Sequence, residues 1–243
     1  MATSNDSWPD AALDALSGEP GKPETEPLRV ERVYQQIKWR IVYGTYVPGK
    51  ALSESVLARV YGSSRTPVRE ALSRLVDEGY VERVPRKGWM VSPITLMSIQ
   101  NTFDVRRLLE GTAAETAATR ADAEAIARLR GLADYPTFET TQESYRTRLT
   151  ANAQFHLAVA AATQNGFMVD LVRHCLTQHN RVLSLGLEFP VHPFSVDEHH
   201  EVVNAIERHD PVAARAAMEH HLDGAHRLVI DFLMRGRIRG IGL

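Results

Sequence analysis

The sequence predicts a mainly α-helical protein, with an N-terminal winged helix-turn-helix followed by an antiparallel, all-helical bundle of about six helices. Apolar residues recur at helical spacing along most of the chain, and one pair of short strand-like runs flanks a basic turn. Charge also divides the chain, because residues 28–92 carry twelve Lys or Arg against six Asp or Glu, whereas residues 93–243 carry fifteen against eighteen. All ten histidines lie at or beyond His156. Two domains with different chemistry account for this division.

Composition excludes several classes of protein. The 243 residues are 44% hydrophobic and 24% charged, an ordinary mixture for a globular protein. The sequence has no run of about eighteen apolar residues, so we expect no transmembrane helix and no membrane partner. The single cysteine, Cys175, cannot form an internal disulfide and is typical of the reducing cytoplasm. Residues 1–27, with one basic and six acidic residues and no apolar periodicity, are predicted to form a disordered tail.

The basic segment 28–92 begins with two predicted helices. The first spans 28–43 and ends at Gly44, and its apolar stripe consists of Val30, Val33, Tyr34, Ile37 and Ile41. Ser53 is the predicted N-cap of a second, short helix that ends at Gly62. We expect that helix to turn three residues inward, namely Val56, Leu57 and Val60.

A third helix and a hairpin complete this domain. Thr66 is the predicted N-cap, and Pro67 occupies the first helical position, where its missing N–H costs nothing. The core-facing stripe of the helix is Val68, Ala71, Leu72, Leu75 and Val76. After Gly79, strand-prone runs at 80–84 and 89–91 flank the basic turn 85–88, which predicts a two-stranded wing.

The third helix is suited to the major groove of DNA. Because its apolar stripe must face the core, its first turn presents four polar residues outward, namely Ser64, Arg65, Thr66 and Arg69. An arginine there can bridge guanine O6 and N7 or clamp a phosphate, and both roles remain open. Lys87 and Gly88 at the wing tip extend this surface. The alternative is a solvated basic helix face with no partner.

A family resemblance follows from these residues. Leu52-Ser53-Glu54, the run Ser-Arg-Thr-Pro-Val-Arg-Glu-Ala-Leu over 64–72, Gly79-Tyr80-Val81 and Gly88 are similar to the DNA-binding domain of the GntR family of bacterial transcription regulators. The resemblance covers about 60 residues. It implies that Arg65, Thr66 and Arg69 contact an operator and that Gly88 approaches the minor groove.

Residues 96–235 are predicted to form the helical domain, between a linker at 93–95 and a tail at 236–243. Apolar spacing and Pro or Gly breaks predict six helices, over 95–119, 121–133, 142–163, 167–186, 196–208 and 211–235. We expect the first of these helices to face the core with Val105, Leu108, Leu109, Thr112 and Ala113.

Three histidines fall on apolar stripes of three different helices. His156, His199 and His221 are therefore expected to point toward one core, with Asn152 one turn before His156. Each buried imidazole needs a partner, and a shared divalent metal, zinc or nickel, would satisfy all three. The alternative is that each histidine is an ordinary hydrogen-bonded core residue.

The second half resembles the FadR-type C-terminal ligand-binding domain. The similar pieces include Phe103–Arg106 with Leu109-Glu110, Phe155-His156, Glu198-His199 and His221-Leu222. The resemblance implies that metal-binding members use the positions of Asn152, His156, His199 and His221. Most such members have aspartate at the first position, so the neutral asparagine is expected to lower metal affinity.

The same resemblance implies an effector site and a dimer. A metal with open coordination positions can bind one end of a small carboxylate, and Arg106 can hold the other end through a bidentate pair. Alternatively, Arg106 pairs with Glu110 four residues later, and Asn180 and Arg181 are further pocket candidates. We therefore expect a cytoplasmic, nucleoid-associated homodimeric repressor that binds a palindromic DNA operator. The alternative is a metal-dependent helical enzyme.

Overall fold

The chain divides into two compact units. The computed structural model describes residues 25–134, 142–185, 194–234 and 241–242. The N-terminal unit runs to Ile94 and includes the extreme C-terminus, and the C-terminal unit begins at Thr95. Most of the predicted disordered tail, residues 1–24, lies outside the described residues.

The described residues of the N-terminal unit form three helices and a small sheet. Its helices are α1 (Glu26–Val42), α2 (Glu54–Val60) and α3 (Arg65–Asp77). Strands β1 (Ala51–Leu52), β2 (Val81–Val84) and β3 (Gly88–Val91) form an antiparallel sheet in the order β1-β3-β2. The predicted wing hairpin is β2–β3, with Arg83 opposite Trp89, and β1 adds a third strand that sequence periodicity did not reveal.

The core of this unit lies between α1 and α3. Both predicted stripes are largely buried there, including Val33, Ile37, Ile41, Val68, Leu72 and Leu75. The predicted face of α2 is confirmed only at Leu57, which is buried, because Val56 is 50% and Val60 is 55% exposed. The other buried residues here are Ala58 and Tyr61. A two-turn helix has too few apolar positions to define its orientation, and both sets fit helical spacing.

The start of α3 also differs from the prediction. The N-cap is Ser64, not Thr66, and the helix begins at Arg65, so Pro67 occupies the third helical position. The first four backbone N–H groups of an α-helix have no intrahelical acceptor, so proline is tolerated throughout the first turn. The polar residues predicted to face outward remain in that turn.

Over its described residues the C-terminal unit consists of helices and the turns that connect them, after Thr95, the last residue of a short strand. Its six helices confirm the predicted number and are α4 (Leu96–Arg120), α5 (Ala123–Ala133), α6 (Gln142–Ala162), α7 (Gly166–Leu183), α8 (Phe194–Glu207) and α9 (Pro211–Met234). Thr95 and Ser98 form a reciprocal capping box at the start of α4, and Asp122 caps α5. Alanines of α4 pack against α8 and α9, which permits close approach of these helices.

The orientation of α4 contradicts part of another prediction, since Ala113 is buried as expected but Val105 and Leu108 are not. Val105 is 44% and Leu108 is 65% exposed, whereas Phe103, Arg106 and Glu110 are buried. A periodicity argument assigns the apolar stripe to the core, but here a charged pair occupies the core side. The buried charges compensate one another, as described below.

Two short strands occur where no regular structure was predicted. Strand β4 (Ile94–Thr95) lies in the predicted linker 93–95, and β5 (Ile241–Gly242) lies in the predicted tail 236–243. The two strands form a separate two-stranded sheet. Among the described helices, none combines the length and the apolarity that crossing a bilayer requires.

The burial of α3 predicts that truncation of its core side chains destabilises the N-terminal unit. Leu72→Ala should lower its free energy of unfolding by about 2–5 kcal/mol because the truncation leaves a cavity in a fully buried position. Val56→Ala, at a half-exposed position, should change it by less than about 0.5 kcal/mol. Tryptophan fluorescence during urea denaturation measures this, since Trp39 and Trp89 both lie in this unit. Equal effects of the two substitutions would show that the observed orientation of α2 is incorrect.

Candidate functional site

The six residues predicted to contact DNA are exposed. Four of them occupy the start of α3, namely Ser64, Arg65, Thr66 and Arg69. Lys87 and Gly88 lie at the tip of the β2–β3 hairpin. Gly88 has a φ of 82° and open space where a Cβ would be, so the backbone of the tip can approach another surface closely.

Arg69 is held by a carboxylate from α2. Its Nε donates to Oε1 of Glu54 at 3.0 Å, and its Nη2 donates to Oε2 at 2.8 Å. The indole Nε1 of Trp89, on wing strand β3, donates to the same Oε1 at 2.9 Å. Hydrogen bonds from Arg69 and Trp89 lower the pKa of Glu54 to about 2, so this carboxylate is ionised at physiological pH. One carboxylate thus joins α2, α3 and the wing.

The three predicted histidines meet in the core of the C-terminal unit. His156 on α6, His199 on α8 and His221 on α9 are all buried. Nε2 of His221 lies 3.3 Å from Nε2 of His199 and 3.3 Å from Nε2 of His156. The ring of Phe155 stacks on His199 with centroids 3.8 Å apart and forms an apolar wall.

Carboxylates contact the outer nitrogens of two of these rings. Nδ1 of His221 lies 2.8 Å from Oε2 of Glu198, and Nδ1 of His156 lies 2.5 Å from Oε2 of Glu110. A carboxylate accepts hydrogen bonds, so these contacts favour the imidazole tautomer that has its ring hydrogen on Nδ1 and a lone pair on Nε2. Burial lowers the pKa of His156 to about 4 and places that of His199 well below its ordinary value. Nε2 of His156 is therefore unprotonated near pH 7.

This geometry fits a divalent metal. Lone pairs on the Nε2 atoms of His156 and His221 face each other, an arrangement that a cation between them would stabilise. Two nitrogens bound to a tetrahedral zinc at about 2.1 Å lie roughly 3.4 Å apart, close to the observed separations. The carboxylates on the Nδ1 atoms match the usual outer partners of metal-binding histidines. Among the described residues, these three histidines form a group whose ligand atoms all lie within 4.8 Å of one another.

Asn152 is placed beside this cluster by α6. It lies four residues before His156, one helical turn away, and it is half-buried. It is the remaining member of the ligand set that the resemblance implied.

Arg106 and Glu110 form a buried ion pair on α4. Nε of Arg106 donates to Oε1 of Glu110 at 2.6 Å, so the pairing considered from the sequence exists. Burial alone would raise the pKa of Glu110, but the charges of Arg106 and His156 outweigh burial and lower it. Nη1 of Arg106 is buried and has no hydrogen-bond partner among the described residues. The guanidinium also lies over the ring of Phe103, 5.5 Å from its centroid.

Helix α7 presents buried polar groups at the positions predicted for the pocket. Asn180 is 1% and Arg181 is 3% exposed. In the described part of the chain, Oδ1 of Asn180 and Oγ of Ser184 have no hydrogen-bond partner. The neighbouring His179 packs edge-on against Phe103, with centroids 5.1 Å apart, so α7 lies close to the Arg106 site. Buried polar atoms without partners are uncommon in folded proteins and indicate a ligand or water site.

Sequence reasoning assigned no role to two carboxylates. Glu198 directly precedes His199, but its partner His221 belongs to a different helix, so the contact depends on tertiary structure. Oε1 of Glu198 lies only 3.2 Å from the position a Cβ would occupy at Gly224. The interior glycine of α9 was a possible signal for this close approach. Glu54 likewise has no local signal, since Arg69 is fifteen residues away.

Two family matches cover most of the chain. Residues 29–91 match the family described as bacterial regulatory proteins, gntR family, and residues 101–224 match the FCD domain. The Exu regulon transcriptional regulator of Escherichia coli (strain K12) is 32% identical over 231 residues, which cover 85% of this chain and 87% of that protein. The Uxu operon transcriptional regulator of the same strain is 28% identical, with coverage of 83% and 88%.

Solved structures show the same fold. The E. coli protein McbR/YncC superimposes with a TM-score of 0.68 at 20% identity, covering 84% of this chain and 98% of that chain. A GntR transcriptional regulator from Rhodococcus sp. RHA1 superimposes with a TM-score of 0.67 at 24% identity, with the same coverage. These similarities confirm the predicted fold class.

Proposed function

Since this chain belongs to the GntR family of bacterial regulatory proteins and is a transcriptional regulator rather than an enzyme, we propose that it is a homodimeric, ligand-responsive repressor. It would act on DNA in the cytoplasm, in association with the nucleoid. Its FCD domain would bind a divalent metal, zinc or nickel, together with a small carboxylate. The observation that carries the sensing role is the convergence of three imidazoles beside a buried arginine with an unused donor.

The proposed operator contacts are Ser64, Arg65, Thr66 and Arg69 on α3 and Lys87 and Gly88 at the wing tip. Their exposure and the net charge of residues 28–92 support this role. One such unit reads a short half-site, so a two-fold dimer on a palindrome doubles the number of contacts.

The proposed metal ligands are Asn152, His156, His199 and His221. Two inward-facing lone pairs with carboxylates behind them support the assignment. The amide oxygen of Asn152 brings no charge, in contrast to a carboxylate, so the site would bind metal more weakly. When bound, such a metal would hold one carboxylate oxygen of the effector through an open coordination position.

The proposed effector contacts are Arg106, Glu110, Asn180 and Arg181. Arg106 offers Nη1 to an incoming carboxylate, and Asn180 offers Oδ1 to a hydroxyl or an amine. The pocket is therefore suited to a small acid that also carries a hydrogen-bond donor.

Glu110 provides the link between effector binding and the histidine cluster. Its Oε1 accepts from Arg106 and its Oε2 contacts His156, so one carboxylate serves both sites. A second carboxylate at Arg106 would compete with Glu110 for the guanidinium and strengthen the contact of Glu110 with His156. Helix α4 carries Arg106 and Glu110, and it begins immediately after the N-terminal unit ends. An effector that favours one position of α4 would shift the population of DNA-binding conformations.

The exposed face of α4 supports the proposed homodimer. Met97, Val105 and Leu108 form a stripe that is 44–68% exposed over three turns. A row of large apolar side chains on one helix favours association, and α4 would place a second copy of this chain beside the sensing residues. Isologous contacts of this kind match the two-fold symmetry of a palindromic operator.

Removal of two imidazoles should abolish metal binding. Wild-type protein should contain zinc or nickel by elemental analysis, and either ion should raise its melting temperature. His156→Ala combined with His199→Ala should lose both properties while retaining helical circular dichroism. The exposed His220→Ala is the matched control and should behave as wild type. Wild-type protein with no metal and no response to either ion would show that the histidines are structural.

Arg106→Lys should separate effector binding from folding. Lysine retains the charge that Glu110 requires but lacks the planar fork that holds a carboxylate, so carboxylate affinity should fall by about tenfold or more. Calorimetric titration of metal-loaded protein with a panel of mono- and dicarboxylates measures this affinity. Arg107→Lys, at the adjacent position where the guanidinium pairs with Asp104 and Asp223, is the control. Equal affinity of wild type and Arg106→Lys would remove Arg106 from the pocket.

Leu108→Glu should disrupt the proposed dimer. A charge in the α4 stripe would have to be buried on association, which is strongly unfavourable. Light scattering after size exclusion should give twice the chain mass of 27.1 kDa for wild type and the chain mass itself for the variant. Val212→Glu, at another exposed apolar position on α9, should leave the mass unchanged. A monomeric wild type would contradict the proposal.

A further inference from the structure

Arg69 has two hydrogen-bonding edges, and Glu54 occupies only one of them. The Nε and Nη2 hydrogens on one side of the guanidinium point to the two carboxylate oxygens. The outer edge, formed by Nη1 and the second hydrogen of Nη2, remains available. The Arg69 side chain is 64% exposed, so this edge can reach a partner outside the protein.

Glu54 is itself fixed from a third direction. Trp89 donates to Oε1 from strand β3, and the Glu54 side chain is only 20% exposed. An arginine held by two parallel hydrogen bonds to such a carboxylate loses little further rotamer freedom on binding. Its free edge therefore has a defined direction before DNA arrives.

The charge of this pair distinguishes between two kinds of DNA contact. An arginine that neutralises phosphate contributes through its net positive charge and the release of counterions. The Arg69–Glu54 pair is almost neutral, so it is a weak phosphate ligand. The outer guanidinium edge still matches guanine, whose O6 and N7 accept a bidentate pair in the major groove. Arg65, at the start of the same helix, is exposed and also interacts with Glu54 through its charge.

We propose that Arg69 reads a guanine in each operator half-site and that Glu54 is its positioning residue, with Trp89 fixing the carboxylate. This inference rests on the proposed DNA-contacting surface and adds the base that it recognises. Replacement of the Glu54 charge would leave Arg69 mobile and fully cationic. The protein would then bind DNA in general more tightly and its preferred base less selectively.

The test begins with selection of an operator from a random duplex library by purified wild-type protein. Single base-pair variants of the selected site are then measured with wild type, Arg69→Ala and Glu54→Gln. Arg69→Ala identifies the base pair that Arg69 reads, and we expect a G·C pair. Glu54→Gln should lower discrimination at that same pair by about tenfold. Its affinity should also depend more steeply on salt, with the slope of log K against log salt changing by about −0.9.

Glu31→Gln is the matched control. Glu31 pairs with Arg74 at the other end of α3 at 2.7 Å, so this substitution also removes a carboxylate and releases an arginine of the same helix. It should leave both base discrimination and salt slope unchanged. Trp89→Phe removes one hydrogen bond to Glu54 and should reduce discrimination at the same pair, which provides a second test if Glu54→Gln folds poorly.

Three results would overturn the inference. Glu54→Gln and Trp89→Phe could both retain full discrimination at the pair identified with Arg69→Ala. Arg69→Ala could instead weaken all sites equally with a shallower salt slope, which would make Arg69 a phosphate contact while leaving the proposed repressor function intact. A wild-type selection with no enriched sequence would overturn both the guanine contact and the proposed operator binding.

Discussion

The C-terminal unit depends on mutual compensation of polar groups in its interior. A buried charge or imidazole is strongly destabilising unless a partner satisfies it. Here Glu110 accepts from Arg106 at both carboxylate oxygens and also contacts His156 through Oε2, and Glu198 contacts His221. These contacts join α4, α6, α8 and α9, so four of the six helices are positioned by one polar network. The apolar core, much of it alanine, packs around that network and permits the close helix spacing it requires.

Each unit contains an arginine that is held by a glutamate, and we propose different roles for the two pairs. In each pair, the glutamate accepts hydrogen bonds from one side of the arginine guanidinium. The guanidinium is thereby oriented, and donors on its other side remain unused. On the N-terminal unit the arginine is exposed and its free edge faces solvent, as recognition of a large external partner requires. In the C-terminal unit the arginine is buried and its free Nη1 lies in the interior, so the partner proposed for it has to be a small molecule. Burial of the pair, rather than its residue types, separates the two proposed roles.

Helix positions and the histidine cluster could be predicted from the sequence because they depend on apolar spacing and on turn residues. The stripes of α1 and α3 contain five apolar positions each, and most of them are buried. The faces of α2 and α4 could not be predicted in this way. Helix α2 is too short to show a distinct apolar period. Helix α4 has apolar residues on two sides, and Val105 and Leu108 are exposed, whereas the charged Arg106 is buried. Contacts such as Glu54 with Arg69 join distant parts of the chain, so no local pattern encodes them.

Gly224 has a consequence for engineering of this protein. Glycine within a helix costs about 1 kcal/mol relative to alanine, so replacement of such residues is a routine strategy for thermostabilisation. At this position the methyl group would lie 3.2 Å from Oε1 of Glu198 and would press on the carboxylate that orients His221. The backbone flexibility conceded here makes room for an oxygen atom, and a more heat-resistant variant obtained at residue 224 would risk disturbing the contact between Glu198 and His221 on which the proposed sensor depends.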